Sequence, residues 1–139
     1  MEPTWILVAD SARARLFRVD RPRGPLAEHS AYTNPADRLR EQDLETDAPG
    51  RGGHYAMGGD TGTKAHYADR FAKQIADVLR KGRAAGKFAR LYVLAAPNFL
   101  GALRHVMDPP TANCVVASYA KDVVREQPEG IRAHLPYRL

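Results

Sequence analysis

Two uninterrupted apolar runs constrain this chain more than any other feature: Trp5 to Ala9 (WILVA) and, within RLYVLAA, Leu91 to Ala96. A strand that alternates polar and apolar residues needs cover on one face. A strand that is apolar at every position needs cover on both. The chain is therefore expected to build a sheet with material packed on each side, and 139 residues are enough for one domain with such a core.

The other elements are read around those two strands. Asp10-Ser11 punctuates the first run, and RARLFRV (Arg13 to Val19) resumes strand chemistry at once. So short a connection favours an antiparallel hairpin. After the turn DRPRGP, residues Leu26 to Thr33 (LAEHSAYT) make a third strand whose alternation is poor. Lys64 to Ala85 is the clearest helix, with Tyr67, Phe71, Ile75, Val78 and Leu79 on one side. Thr63 is the expected cap at its start and Gly86 the expected stop. Pro97 opens a second helix carrying Phe99, Leu100, Leu103 and Val106. Cys114 to Tyr119 (CVVASY) reads as another buried strand, and Pro128 to Leu135 as a short helix. The fold class expected is α/β: a mixed sheet with antiparallel N-terminal strands and packed helices, in a single domain spanning the chain.

Asn34 to Thr63 is the long connection, with a short helix expected within Pro35 to Leu44. Six of the eleven glycines fall between Gly50 and Gly62, and the stretch from about residue 48 to 62 reads as a flexible loop. It admits two readings, a finger that probes RNA or plain surface slack.

Charge gives a direction without a site. Lys and Arg total 21 against 16 Asp and Glu, for a net charge of +5, and 16 of the 21 are arginine. Arginine's planar fork suits phosphate and carboxylate. Arg13, Arg15, Arg18, Arg21 and Arg23 cluster along the second strand, where alternation puts Arg13 and Arg15 on one face. That stripe is either an RNA-contacting surface or a charged edge that blocks aggregation. Cys114 has no partner for a disulfide, and a buried inert thiol is expected there. The run Trp5 to Ala9 is too short for a secretion signal or a membrane span, so a cytoplasmic setting with no membrane partner is expected.

If the two apolar strands lie parallel and adjacent, Asp10, Ser11 and Arg13 meet Pro97 and Asn98 at a helix N-terminus. Asp10, Ser11 and Asn98 are then candidates for an anion site, and the plainer alternative is that Asp10 and Ser11 shape the hairpin turn. Asp10, Glu28 and Asp122 are the acidic residues that a two-metal nuclease would require on its strands, but none lies in the middle of an apolar run. His54, Asp60 and His66 follow no known metal spacing. No catalytic residue, metal or cofactor is implied.

Four stretches, WILVADSARARLF, HYADRFAKQIADVL, LYVLAAPNFLGALR and VVASYAKDV, together resemble the bacterial host-attachment protein family, whose members are described as required for attachment to host cells. More distantly, the order of elements is similar to the middle domain of eukaryotic and archaeal peptide-chain release factors. That resemblance implies a ribosomal S11/L18-like fold related to the ribonuclease H motif. It also implies a partner in RNA or the ribosome. Gly50, Arg51, Gly52 and Gly53 match the Gly-Arg-Gly-Gly-Gln tip of those factors, and His54 stands where the glutamine would be. In the family pattern that glutamine places a water for ester hydrolysis, so the substitution departs from hydrolytic chemistry. Arg70 and Phe71 match the start of the release-factor helix, after the additional stretch YAMGGDTGTKAHYAD. The expected function is a non-enzymatic binding module using Arg13, Arg15, Arg18, Arg51 and His54 on RNA. The alternatives are an indirect attachment factor without RNA binding, or a hydrolase at the strand ends. Oligomeric state is left open.

Overall fold

The computed structural model describes residues 1–36 and 60–139. Five strands, β1 (Thr4–Ala9), β2 (Arg13–Val19), β3 (Ala27–Thr33), β4 (Arg90–Ala95) and β5 (Val115–Ala120), form one sheet in the order β3-β2-β1-β4-β5. β1 pairs antiparallel with β2 and parallel with β4. β2 and β3 are antiparallel, and β4 and β5 are parallel. Among the described residues, the helices seen in full are α1 (Asp60–Ala84), α2 (Pro97–Val106), α3 (Pro109–Ala112) and α4 (Pro128–Ala133).

The two apolar runs are the central pair, and every residue of β1 is buried. Trp5, Leu7 and Ala9 turn to one face, where Phe71, Ile75 and Leu79 of α1 and Phe99, Leu100 and Leu103 of α2 cover them. Ile6 and Val8 turn to the other, under Val123, Val124, Ile131, Leu135 and Leu139. The second cover is thus a 17-residue stretch, 123–139, that holds one short helix and is otherwise irregular.

Three expectations are corrected. α1 begins at Asp60 rather than Lys64, so Gly62 and Thr63 lie inside the helix, and Thr63 is not its cap. The segment around CVVASY is an edge strand: β5 starts at Val115, Val116 is 47% exposed, and Cys114 is half-buried just before it. A strand at the margin of a sheet has a neighbour on one side only, so it stays partly open however apolar its sequence. α4 ends at Ala133, two residues before the expected Leu135. Gly86 does end α1, in the left-handed conformation at φ +73° that glycine adopts without strain. Pro35 and Ala36 are helical, and the rest of the helix expected within Pro35 to Leu44, with most of the glycine-rich stretch, lies outside the described residues. Among the described residues, no helix is long and apolar enough to cross a membrane.

The close approach of α1 to β1 depends on Gly82. A Cβ there would lie 2.7 and 2.8 Å from two carbons of the Trp5 ring. Gly82→Ala should therefore destabilise the domain by about 1–3 kcal/mol, although alanine is the better helix former. Gly101 in α2 has nothing within 4 Å of the same position. Gly101→Ala should stabilise by roughly 0.5–1 kcal/mol. Urea denaturation followed by circular dichroism separates the two. Equal effects of the same sign would contradict the packing described.

Candidate functional site

β2 distributes its arginines between the two faces of the sheet. Arg15 lies on the side of Phe17, the α4 side, while Arg18 lies with Leu16 on the α1 side. Arg15 is occupied internally. It pairs with Glu28 at 2.9 Å and is 19% exposed. Its Nη1 donates to the carbonyls of Val124 (2.8 Å) and Glu126 (2.7 Å), and its guanidinium sits 5.0 Å from the centre of the Phe17 ring. Arg15 holds the segment after β5 against the hairpin and has little left to offer a phosphate. Arg13 is half-buried and makes no side-chain hydrogen bond or ion pair among the described residues. Arg23 stacks over Tyr137, 5.5 Å from the ring centre. Arg51 and His54 lie outside the described residues.

The poor alternation of β3 has a structural cause. Leu16 pairs with Ser30 and Phe17 with Glu28, leaving His29 as the extra residue of a β-bulge. The bulge turns His29 and Ser30 toward α1 and sends Glu28 through to Arg15. His29 then rests on the Trp5 ring, with centroids 4.5 Å apart and planes tilted by 45°. Its Nδ1 is 2.9 Å from Ser30 Oγ.

His29 stands in a groove of about 730 Å³ between the β2–β3 side of the sheet and the last turns of α1. Trp5 and Tyr32 supply aromatic surface there, and Arg18, Lys81 and Lys87 supply positive charge. Arg18 is 3.5 Å from Asp20 and more than half exposed. Lys81 pairs with Asp77 at 3.1 Å. Lys87 has no carboxylate within ion-pair distance among the described residues. The His29 imidazole is held below its ordinary pKa of 6.5, first by partial desolvation and then by the charges of Arg18 and Lys87, with Glu28 opposing them. An anion in this groove would meet Lys87, together with Arg18 and Lys81, which are already paired with Asp20 and Asp77.

The strand-end cluster is brought together as expected, since β1 and β4 are adjacent and parallel. Its chemistry is that of a turn. Asp10 Oδ1 accepts from the N–H groups of Ala12 and Arg13, both at 2.8 Å. The carbonyl of Ser11 accepts from buried Asn34 at 2.9 Å. Asn98 is exposed in the first turn of α2, whose preceding residue Ala96 gives no side-chain cap. Among the described residues, no three His, Cys, Asp or Glu side chains gather as a metal site would require, Asp10, Glu28 and Asp122 included.

Of the groove residues, the sequence pointed to Arg18 and missed His29, Lys81 and Lys87. The available signals were the broken alternation of β3 and a glycine, Gly82, inside the last turn of a strong helix.

The fold is similar to that of a solved archaeal translation termination factor: the TM-score is 0.50 and the identity 11%, over 97% of this chain and 35% of that one. At that identity the likeness is one of fold, and this chain spans about a third of the factor's length. Residues 5–135 match the family described as "Protein required for attachment to host cells", and the chain belongs to that family. No curated protein matches it.

The two arginines on β2 should respond differently to substitution. Arg15→Gln removes two carbonyl partners and the Glu28 ion pair, and should cost about 1–3 kcal/mol in thermal or urea unfolding. Arg13→Gln should stay within about 0.5 kcal/mol of wild type. A silent Arg15→Gln would show that Arg15 is not a clamp.

Proposed function

We propose that this domain is a non-enzymatic, cytoplasmic module that binds RNA or the RNA surface of the translation machinery through the groove beside α1. The observation that carries this reading is the convergence of Arg18, Lys81 and Lys87 around the rings of His29 and Tyr32, with Trp5 buried beneath them. Cations answer the phosphate backbone, and flat rings answer bases. The net charge of +5 supports the same partner. So does the fold shared with a protein titled a translation termination factor, as to the setting alone. Arg51 and His54 are further candidate contacts. Arg13 is another, while Arg15 is not, because it is tied to the protein's own backbone. Attachment to host cells, the description of the family, would then be an indirect outcome of action on gene expression.

Binding of a labelled RNA hairpin, followed by anisotropy across a salt series, tests the reading. Wild type should bind at low salt and lose affinity steeply as salt rises. Arg18→Gln with Lys87→Gln should weaken binding and flatten the salt slope by roughly one unit per lost phosphate contact. A pH arm adds the imidazole. In the folded protein the His29 pKa lies below the unfolded value near 6.5, so as pH falls through that window the unfolded chain takes the proton first and the free protein loses stability. RNA favours the protonated ring, so affinity should rise over the same window, and His29→Gln should remove the rise. No binding at low salt, or a double variant that binds like wild type, would overturn the proposal.

A further inference from the structure

A second cavity, of about 300 Å³, lies between α2, α3 and the strands β4 and β5. It is near the β5 edge of the sheet, whereas the basic groove lies at the β2–β3 side, so a ligand bound here is independent of RNA binding there. Its walls are hydrocarbon. Val93 and Leu103 are buried in the core, and Leu100, Met107 and Val115 complete the lining.

Two polar groups interrupt that lining. The β4–β5 register shifts between Leu91 and Tyr92, so that Val93 stands opposite Ser118 rather than Ala117. The shift brings a hydroxyl to a pocket that regular pairing would have lined with a methyl group. Arg104 Nη2 donates to that hydroxyl at 2.5 Å. Arg104 is exposed and has no carboxylate within ion-pair distance among the described residues. An arginine fork with donors to spare beside an apolar cavity is complementary to an anionic head on a hydrocarbon body.

We infer that this pocket binds a small apolar carboxylate, with the chain against Met107, Ala112 and Val115 over the buried Val93 and Leu103, and the carboxylate on the Arg104 guanidinium beside Ser118. Ligand pockets range from about 300 to 1,000 Å³, so this one accepts a short or medium chain and not a long acyl group. An apolar body with no charge gains only the burial, and the carboxylate adds a charge-assisted pair.

Methyl-labelled protein titrated with sodium octanoate, and separately with 1-octanol, tests the assignment. Octanoate should give saturable shifts in the methyl resonances of Val93, Leu103 and Val115, and should bind about tenfold more tightly than octanol, the effect of one such pair. Arg104→Gln should bring octanoate down to the affinity of octanol and leave octanol unchanged. Ala112 is an exposed residue of the lining, so Ala112→Trp should fill the pocket and abolish both while the rest of the spectrum is kept. Absence of saturable shifts, equal binding of the two probes to wild type, a preference that survives Arg104→Gln, or binding that survives in folded Ala112→Trp would each overturn it.

Discussion

β1 and β4 lie side by side in the middle of the sheet, and β1 exposes no residue on either face. Their pairing is parallel, so the chain must travel the length of the sheet outside it between one strand and the next. α1 makes that return, and in doing so covers the first face with Phe71, Ile75 and Leu79. The second face would stay open to water if the stretch 123–139 did not fold back over Ile6, Val8, Tyr92 and Leu94. That stretch is mostly irregular, so it has little backbone hydrogen bonding of its own to hold it in place.

Arginine supplies what is missing. Arg15 reaches from β2 to the carbonyls of Val124 and Glu126. Arg132 reaches back from α4 to Gly24 (3.0 Å), Pro136 (2.7 Å) and Tyr137 (2.8 Å). On the opposite face Arg83 joins α1 to α3 through Thr111 and Asp108. A guanidinium carries five donors in a fixed plane, which suits it to gather carbonyls that no strand or helix satisfies. Much of the arginine excess is therefore structural. Arg18, Lys81 and Lys87 lie together beside α1, around His29 and Tyr32.

The parts of the fold that were legible in the sequence are those set by local pattern. WILVA and RLYVLAA pointed to central strands covered on both faces, the short link at Asp10-Ser11 pointed to a hairpin, and the apolar face of α1 follows from its spacing. The groove was not legible, because it depends on a bulge. One extra residue in β3 puts His29 over Trp5 and sends Glu28 to Arg15, and a period of two cannot signal the position of that residue. Composition misled for Arg15, since the count of charges does not distinguish an arginine facing solvent from one facing carbonyls. It also misled for β5, whose apolar sequence suggested the interior although the strand lies at the edge. The family resemblance was legible from four stretches of sequence taken together, over residues that the family match spans.

The groove over Trp5 is where we propose that this domain meets RNA. Trp5 is the chain's single tryptophan and lies directly beneath His29, so its emission responds to changes in that groove. A structured RNA added to the wild-type protein at low salt should change the emission with the same midpoint that RNA anisotropy gives, and salt should reverse both signals together. RNA that binds while Trp5 emission stays unchanged would place the contact elsewhere and contradict the account.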